Sequence, residues 1–201
     1  MTLAELRSSF LSTLNRRDVT PVQVSSWLNS AIQRAQRLLR VPAQEKTIQY
    51  IVKPGFTVVP VPGDHLRLIS ISACGDELEV TDATTVRRMT KQSGRARFYV
   101  RDGSSWILGP HPRNGDQIFV TYAADAGQLV SEGDRNWLSE IAPEIIIHGA
   151  LSQAFLHFAD VRREAFEAEF VKGIADLNLQ AVSDELVNAT VAPSFRFDFD
   201  D

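Results

Sequence analysis

The side chains able to do chemistry are thinly spread in this chain. His65, His111, His148 and His157 stand far apart in the sequence. His148 and His157 are nine residues apart. That is roughly two and a half helical turns, so they do not stack on adjacent turns as paired metal ligands do. The single cysteine, Cys74, falls in a strand pattern, which predicts a buried, inert thiol rather than a nucleophile. Glu164, Glu167 and Glu169 have the spacing of the wet side of an amphipathic helix. Asp198, Asp200 and Asp201 carry carboxylates suited to a divalent ion, but no framework to hold its oxygen cage. The phosphate loop GxxxxGK[ST], the GxGxxG turn, HExxH, GxSxG and CxxC are all missing. The expectation is no catalytic residue, no metal, no cofactor, and a protein that is not an enzyme.

Two features call for binding instead. Phe195, Phe197 and Phe199 alternate with Arg196, Asp198 and Asp200, so an extended strand puts the aromatics on one face. Docking that face on another protein, through a sheet edge or a groove, gives them somewhere to go; folding back on their own domain is the alternative. Arg34, Arg37 and Arg40 recur at intervals of three and add to Arg16 and Arg17. They are candidates for contacts with acidic groups of a partner or with phosphates, against the plainer reading of a solvated helix face.

The elements that position these residues follow from periodicity. Thr2 and Glu5 form a capping box ahead of Leu3, Leu6, Phe10 and Leu14 at helical spacing. Thr20, Pro21 and Gln23 start a second helix, with a stripe from Val24 through Trp27, Leu28, Ala31, Ile32, Ala35 and Leu38 to Leu39. Near residue 46 the period drops to two. Short strands are expected at 48–52, 57–61, 66–73, 78–80, 98–100, 105–108 and 117–122, with a short helix over 81–91 capped by Thr81 or Asp82. Asp102-Gly103 and Asn114-Gly115 are strong hairpin signals. After Ser131 helix returns, Pro143 opening a long one and Asp160 capping the next. Gly149 and Ala150 are small enough to let a neighbouring helix come close.

These segments predict an α+β fold: a helical bundle core built from the N- and C-terminal helices, an antiparallel β insert and an extended C-terminal tail. The divisions are 1–45, 46–123, 124–185 and 186–201. Hydrophobic residues at 44% and charged residues at 23% are ordinary for a soluble domain and exclude a disordered or fibrous chain. No apolar run approaches the ~18–20 residues that span a bilayer, and no secretory signal is visible. The net charge of −4 hides an asymmetry. Residues 1–40 carry six arginines against two acids, whereas 124–201 carry five basic residues against fifteen acids. Opposite ends of this kind suit subunits that meet head to tail.

The order of segments also resembles a known family. Pro62-Gly63-Asp64-His65-Leu66-Arg67-Leu68-Ile69-Ser70-Ile71 is followed by Ile107-Leu108-Gly109-Pro110-His111-Pro112 and by Val120-Thr121-Tyr122-Ala123-Ala124. Then come Leu129, Asn136-Trp137-Leu138, the block Ala142-Pro143 to Gly149-Ala150-Leu151, and Asp160. Over residues 3–185 this is similar to the head-to-tail adaptor (connector, or neck) proteins of tailed bacteriophages. His148 stands where an aromatic is common in that family, and Phe195–Asp201 matches no motif of it. The resemblance implies a homo-oligomeric ring, usually dodecameric, beneath the portal protein. The ring would extend the DNA channel without sequence-specific binding and give the tail or nozzle protein a platform. It implies a virion neck protein made in the bacterial cytoplasm, with no membrane partner. On this reading Phe195, Arg196, Phe197, Asp198 and Phe199 contact the portal or a neighbouring subunit. Arg34, Arg37 and Arg40 contact the next subunit, and salt weakens the ring. Two other readings stand beside it. One is a helix-turn-helix regulator reading DNA with Ser25, Ser26, Asn29 and Arg34; the other is a neck or tail-completion (stopper) protein.

Overall fold

A computed structural model describes residues 1–187 other than 55 and 57. Helix α1 (Leu3–Leu14) starts at the expected capping box, Thr2 accepting from the Glu5 amide and the Glu5 carboxylate accepting from the Thr2 amide. It stops where Asn15 turns left-handed at φ 52°. Helix α2 (Pro21–Leu38) starts at the second expected box, Thr20 with Gln23. The short α4 (Trp137–Ile141) leads into α5 (Pro143–His157), and α6 (Arg163–Val187) completes the bundle. Asp160 does not cap a helix directly; it accepts from the Arg162 amide one turn before α6 begins.

The apolar stripes meet in one buried cluster. Leu3, Leu6, Phe10 and Leu14 of α1 join Val24, Leu28, Ala31, Ile32 and Ala35 of α2, Ile146, Ala150, Leu151 and Phe155 of α5, and Phe170 and Ile174 of α6. Truncating a fully buried aromatic of this kind costs ~3–5 kcal/mol, so Phe10, Phe155 and Phe170 anchor the bundle. Leu38, assigned to the stripe by spacing, is exposed; the helix ends there, and Leu39, already in extended geometry, is the residue buried in the core. Gly149 admits α6 as expected, with Phe170 packed onto its Cα.

Between the helices the chain builds two four-stranded sheets. The first pairs β1 (Glu45–Ile51), β8 (Gln117–Ala124), β3 (His65–Ala73) and β4 (Asp76–Glu77) in that spatial order. The second pairs β2 (Val59–Pro60), β7 (Ser105–Gly109), β6 (Phe98–Asp102) and β5 (Glu79–Val80). Their facing sides enclose Val59, Ile71, Trp106, Ile118, Val120 and Tyr122.

Three local expectations need correction. The insert is not wholly antiparallel, since β5 and β6 pair in parallel. The connection between them contains the helix α3 (Ala83–Met89), capped by Asp82, and a crossover of that length lets a strand return in the same direction. Asn114-Gly115 turns the chain but makes no hairpin, because β7 and β8 belong to different sheets; Gly115 donates instead to Val52 at the end of β1. Cys74 is exposed rather than buried. It shares the β3–β4 turn with Gly75, at φ 52° and 90°, and a tight hairpin with two positive φ angles turns its first residue outward.

Polar groups stitch the helices to the sheets. Gln36 and Gln44 are both 2% exposed. Gln36 Oε1 accepts from the Ala126 amide, while Gln44 Nε2 donates to the Gln36 carbonyl. Asn29 of α2 both donates to and accepts from the backbone of Leu129. Amides bonded in this way fix the register of two elements more sharply than apolar contact does.

Candidate functional site

Helix α6 has two apolar faces. Phe166, Phe170, Ile174, Leu177 and Ala181 face the bundle, as their spacing predicts. On the opposite side Ala168, Val171, Ala175, Leu179 and Val182 are exposed, at intervals of three and four residues. Leu179 is 69% exposed and Val171 55%. Single exposed apolar residues are ordinary, but a continuous ridge along a helix is not. In the sequence the ridge is hidden, because the core-facing stripe satisfies the helical period alone.

The arginines of α2 divide by their partners. Arg34 donates to Glu167 Oε1 at 2.6 Å, and its guanidinium lies 4.6 Å from the Phe170 ring centre. Ser152 donates to the other carboxylate oxygen of Glu167 at 2.6 Å. Burial pushes the Glu167 pKa up, but the hydrogen bonds from Arg34 and Ser152 outweigh it and hold the carboxyl below its ordinary value. Glu167 therefore clamps α6 to α2 and α5, unlike its neighbours Glu164 and Glu169 on the wet side. Arg16 is likewise occupied, by Asp18 and by the Phe158 ring.

Arg37 and Arg40 are exposed and pair with no carboxylate among the described residues. Arg40 Nη1 donates only to the carbonyls of Arg37 and Leu39 at the end of α2. Both line a cleft of about 390 Å³ whose other walls are Gln36, Gln44, Leu66, Arg67 and Ala123. Arg67, which sequence reasoning passed over as a strand residue, has no carboxylate partner there either. Burial lowers its pKa, the Arg40 guanidinium lowers it further, and Glu45 acts the other way. The expected grouping of Arg34, Arg37 and Arg40 thus separates into one residue bound within the chain and two facing this cleft.

The histidines are not brought together. His65 stacks between Trp106 and Tyr122, at ring distances of 5.3 and 5.8 Å, in the space between the sheets. His148 packs on Phe166, and His157 on Trp27 and Phe158. Among the described residues no three His, Cys, Asp or Glu side chains cluster as metal ligands. No helix among them is long and apolar enough to cross a membrane. Partial desolvation of the Cys74 sulfur, and then the nearby Asp116, push its thiol pKa up, away from the thiolate a nucleophile needs. Phe195, Arg196, Phe197, Asp198 and Phe199 lie outside the described residues.

The chain is a helical bundle with a β insert whose described residues leave an apolar ridge exposed and the guanidiniums of Arg37, Arg40 and Arg67 without a carboxylate partner. The family model of the SU10 adaptor protein matches residues 1–194, and the chain belongs to that family of phage head-to-tail adaptors. No curated protein matches the chain.

Proposed function

We propose that this adaptor closes into a ring, a dodecamer, beneath the portal at the head–tail junction of the virion. The ring continues the DNA channel and offers its far side to the tail or nozzle protein. The observation that carries this reading is the outer ridge of α6, Ala168-Val171-Ala175-Leu179-Val182, an apolar face that the described residues leave uncovered. A ring joins two different faces of each subunit, and the basic N-terminal and acidic C-terminal portions of this chain suit a heterologous contact. An acidic chain also suits a channel through which DNA must slide rather than be gripped. Phe195–Asp201 is assigned to contact with the portal or a neighbouring subunit. The protein is made in the host cytoplasm and has no membrane partner.

The helix-turn-helix alternative loses support from the geometry. Ser25 accepts from Arg7, Asn29 is bonded to Leu129, and Arg34 to Glu167, so three of its four base-reading side chains are spent inside the chain. Native mass spectrometry and negative-stain imaging test the ring, with the protein alone and mixed with the portal of its own genome. A closed ring stacked on the portal is expected. A monomer that ignores the portal would overturn the reading.

A further inference from the structure

We infer that the cleft between the end of α2 and β3 is a receptor for an acidic peptide, and that its occupant is the Phe195–Asp201 segment of a second copy of this chain. The inference rests on the ring reading for the second copy, and on the cleft itself for the chemistry.

Three guanidiniums, of Arg37, Arg40 and Arg67, line the cleft with no carboxylate ion-paired to any of them among the described residues. Two enclosed polar atoms there have no partner among the described residues: Arg67 Nε, a donor, and Gln44 Oε1, an acceptor. The orientation of the Gln44 amide is set by its other end, since Nε2 donates to the Gln36 carbonyl at 2.7 Å. Unpaired guanidiniums call for acceptors, and the glutamine oxygen beside them for a donor. A phosphate backbone offers acceptors alone. A peptide with acidic side chains offers carboxylates to the arginines and a backbone N–H to Gln44. Leu66 and Ala123 add an apolar wall. Alternating Phe and Asp residues match that combination, and residues 195–201 are where this sequence has them.

Among the described residues the buried clusters run no further than Ala181, so a chain ended after Val187 keeps every residue of both clusters and leaves the segment off. Titrated with a fluorescein-labelled peptide of residues 192–201, this shorter chain is expected to give saturable anisotropy. Binding should fall about tenfold or more when the peptide's aspartates become asparagines. It should fall as far in Arg67→Ala, and in the exposed double variant Arg37→Ala/Arg40→Ala, whose folding is not at stake. Absence of saturation, or unchanged binding by these variants, would overturn the receptor. So would displacement of the labelled peptide by duplex DNA more effectively than by unlabelled peptide. In the full chain, Leu66 is replaced by a photo-crosslinking benzoylphenylalanine and light and heavy isotopic protein are mixed. Adducts to residues 195–201 that join the two isotopes are expected; adducts within one chain, or elsewhere, overturn the second-copy assignment. If the peptide binds while imaging finds no ring, the ring reading fails and the receptor stands.

Discussion

Gly149 of α5 lies against the ring of Phe170 of α6. A Cβ placed on the glycine falls 2.7 Å from Cδ2 and 2.8 Å from Cε2 of that ring, and 3.1 Å from the Cβ of Ala31. Three helices, α2, α5 and α6, therefore converge on one missing methyl group. Phe170 is fully buried and has no free direction in which to swing.

Gly149→Ala is accordingly expected to destabilise the protein by about 1–3 kcal/mol through overpacking, less the ~1 kcal/mol that alanine returns in helix propensity. Gly149→Leu should fail to fold. Denaturant unfolding followed by circular dichroism measures both, and an alanine variant as stable as the parent would show that the ring relocates freely.

The outer ridge of α6 separates assembly from folding. Val171→Asp/Leu179→Asp changes two exposed positions, and such changes shift stability by about 0.5 kcal/mol or less each. The variant should keep the parent's thermal midpoint yet sediment as a monomer, including in the presence of the portal. Rings of normal size from the double variant would move the contact off α6.

The clamp of Arg34, Glu167 and Ser152 sets an acid limit. The Glu167 pKa is lower in the folded chain than its ordinary value of 4.5, so its contribution is complete above that pH and is lost as pH falls through the folded value. Both side chains of the ion pair are about a third exposed, and solvent screening holds the pair to ~0.2–1 kcal/mol. The stability gap between the parent and Glu167→Gln should be present at pH 6 and shrink as the pH falls below 4.5. A gap independent of pH would assign the effect to packing.

An alkaline limit lies between the sheets. Tyr122 donates to Asp64 Oδ1 at 2.9 Å. Burial first, and the Asp64 carboxylate second, push its pKa up to about 12 from an ordinary 10. Because the folded value is raised, the stabilisation is whole below pH 10 and is lost as pH rises through about 12. Absorbance titration of the phenols should show one late proton that Tyr122→Phe removes, with a stability cost of about 1 kcal/mol at neutral pH. A Tyr122 that titrates near 10 would mean that the sheets open before it ionises.

The helical half of the fold was legible because capping chemistry and apolar spacing agree there. Thr2 with Glu5 and Thr20 with Gln23 form the boxes they spell, and Leu3, Leu6, Phe10 and Leu14 are all buried. The β insert was legible in its strands and not in their partners. A hairpin signal such as Asp102-Gly103 fixes a local pairing, β6 with β7, but β8 finds β1 and β3 across long stretches of chain. Cys74 and Asn114-Gly115 misled for the same reason: residues near a strand end are set by the sheet that the strand joins. The binding surfaces were half legible. Arg37 and Arg40 announced themselves by spacing, whereas Arg67 enters their cleft from a β-strand and carries no signal until the fold is known.

One buried cluster draws on residues from Leu3 to Ala181, while the other is closed by residues from Val52 to Ala124 alone. This nesting dictates an order of events on the ribosome. The β insert can consolidate as soon as β8 has emerged. Helices α1 and α2, although made first, must wait with their apolar stripes uncovered until α5 and α6 have been synthesised. The start of the chain is thus the last part to be protected, and a host holdase chaperone or protease would act on α1 and α2 during that interval. Ribosomes paused after β8 should present a protease-resistant core that lacks the N-terminal forty residues.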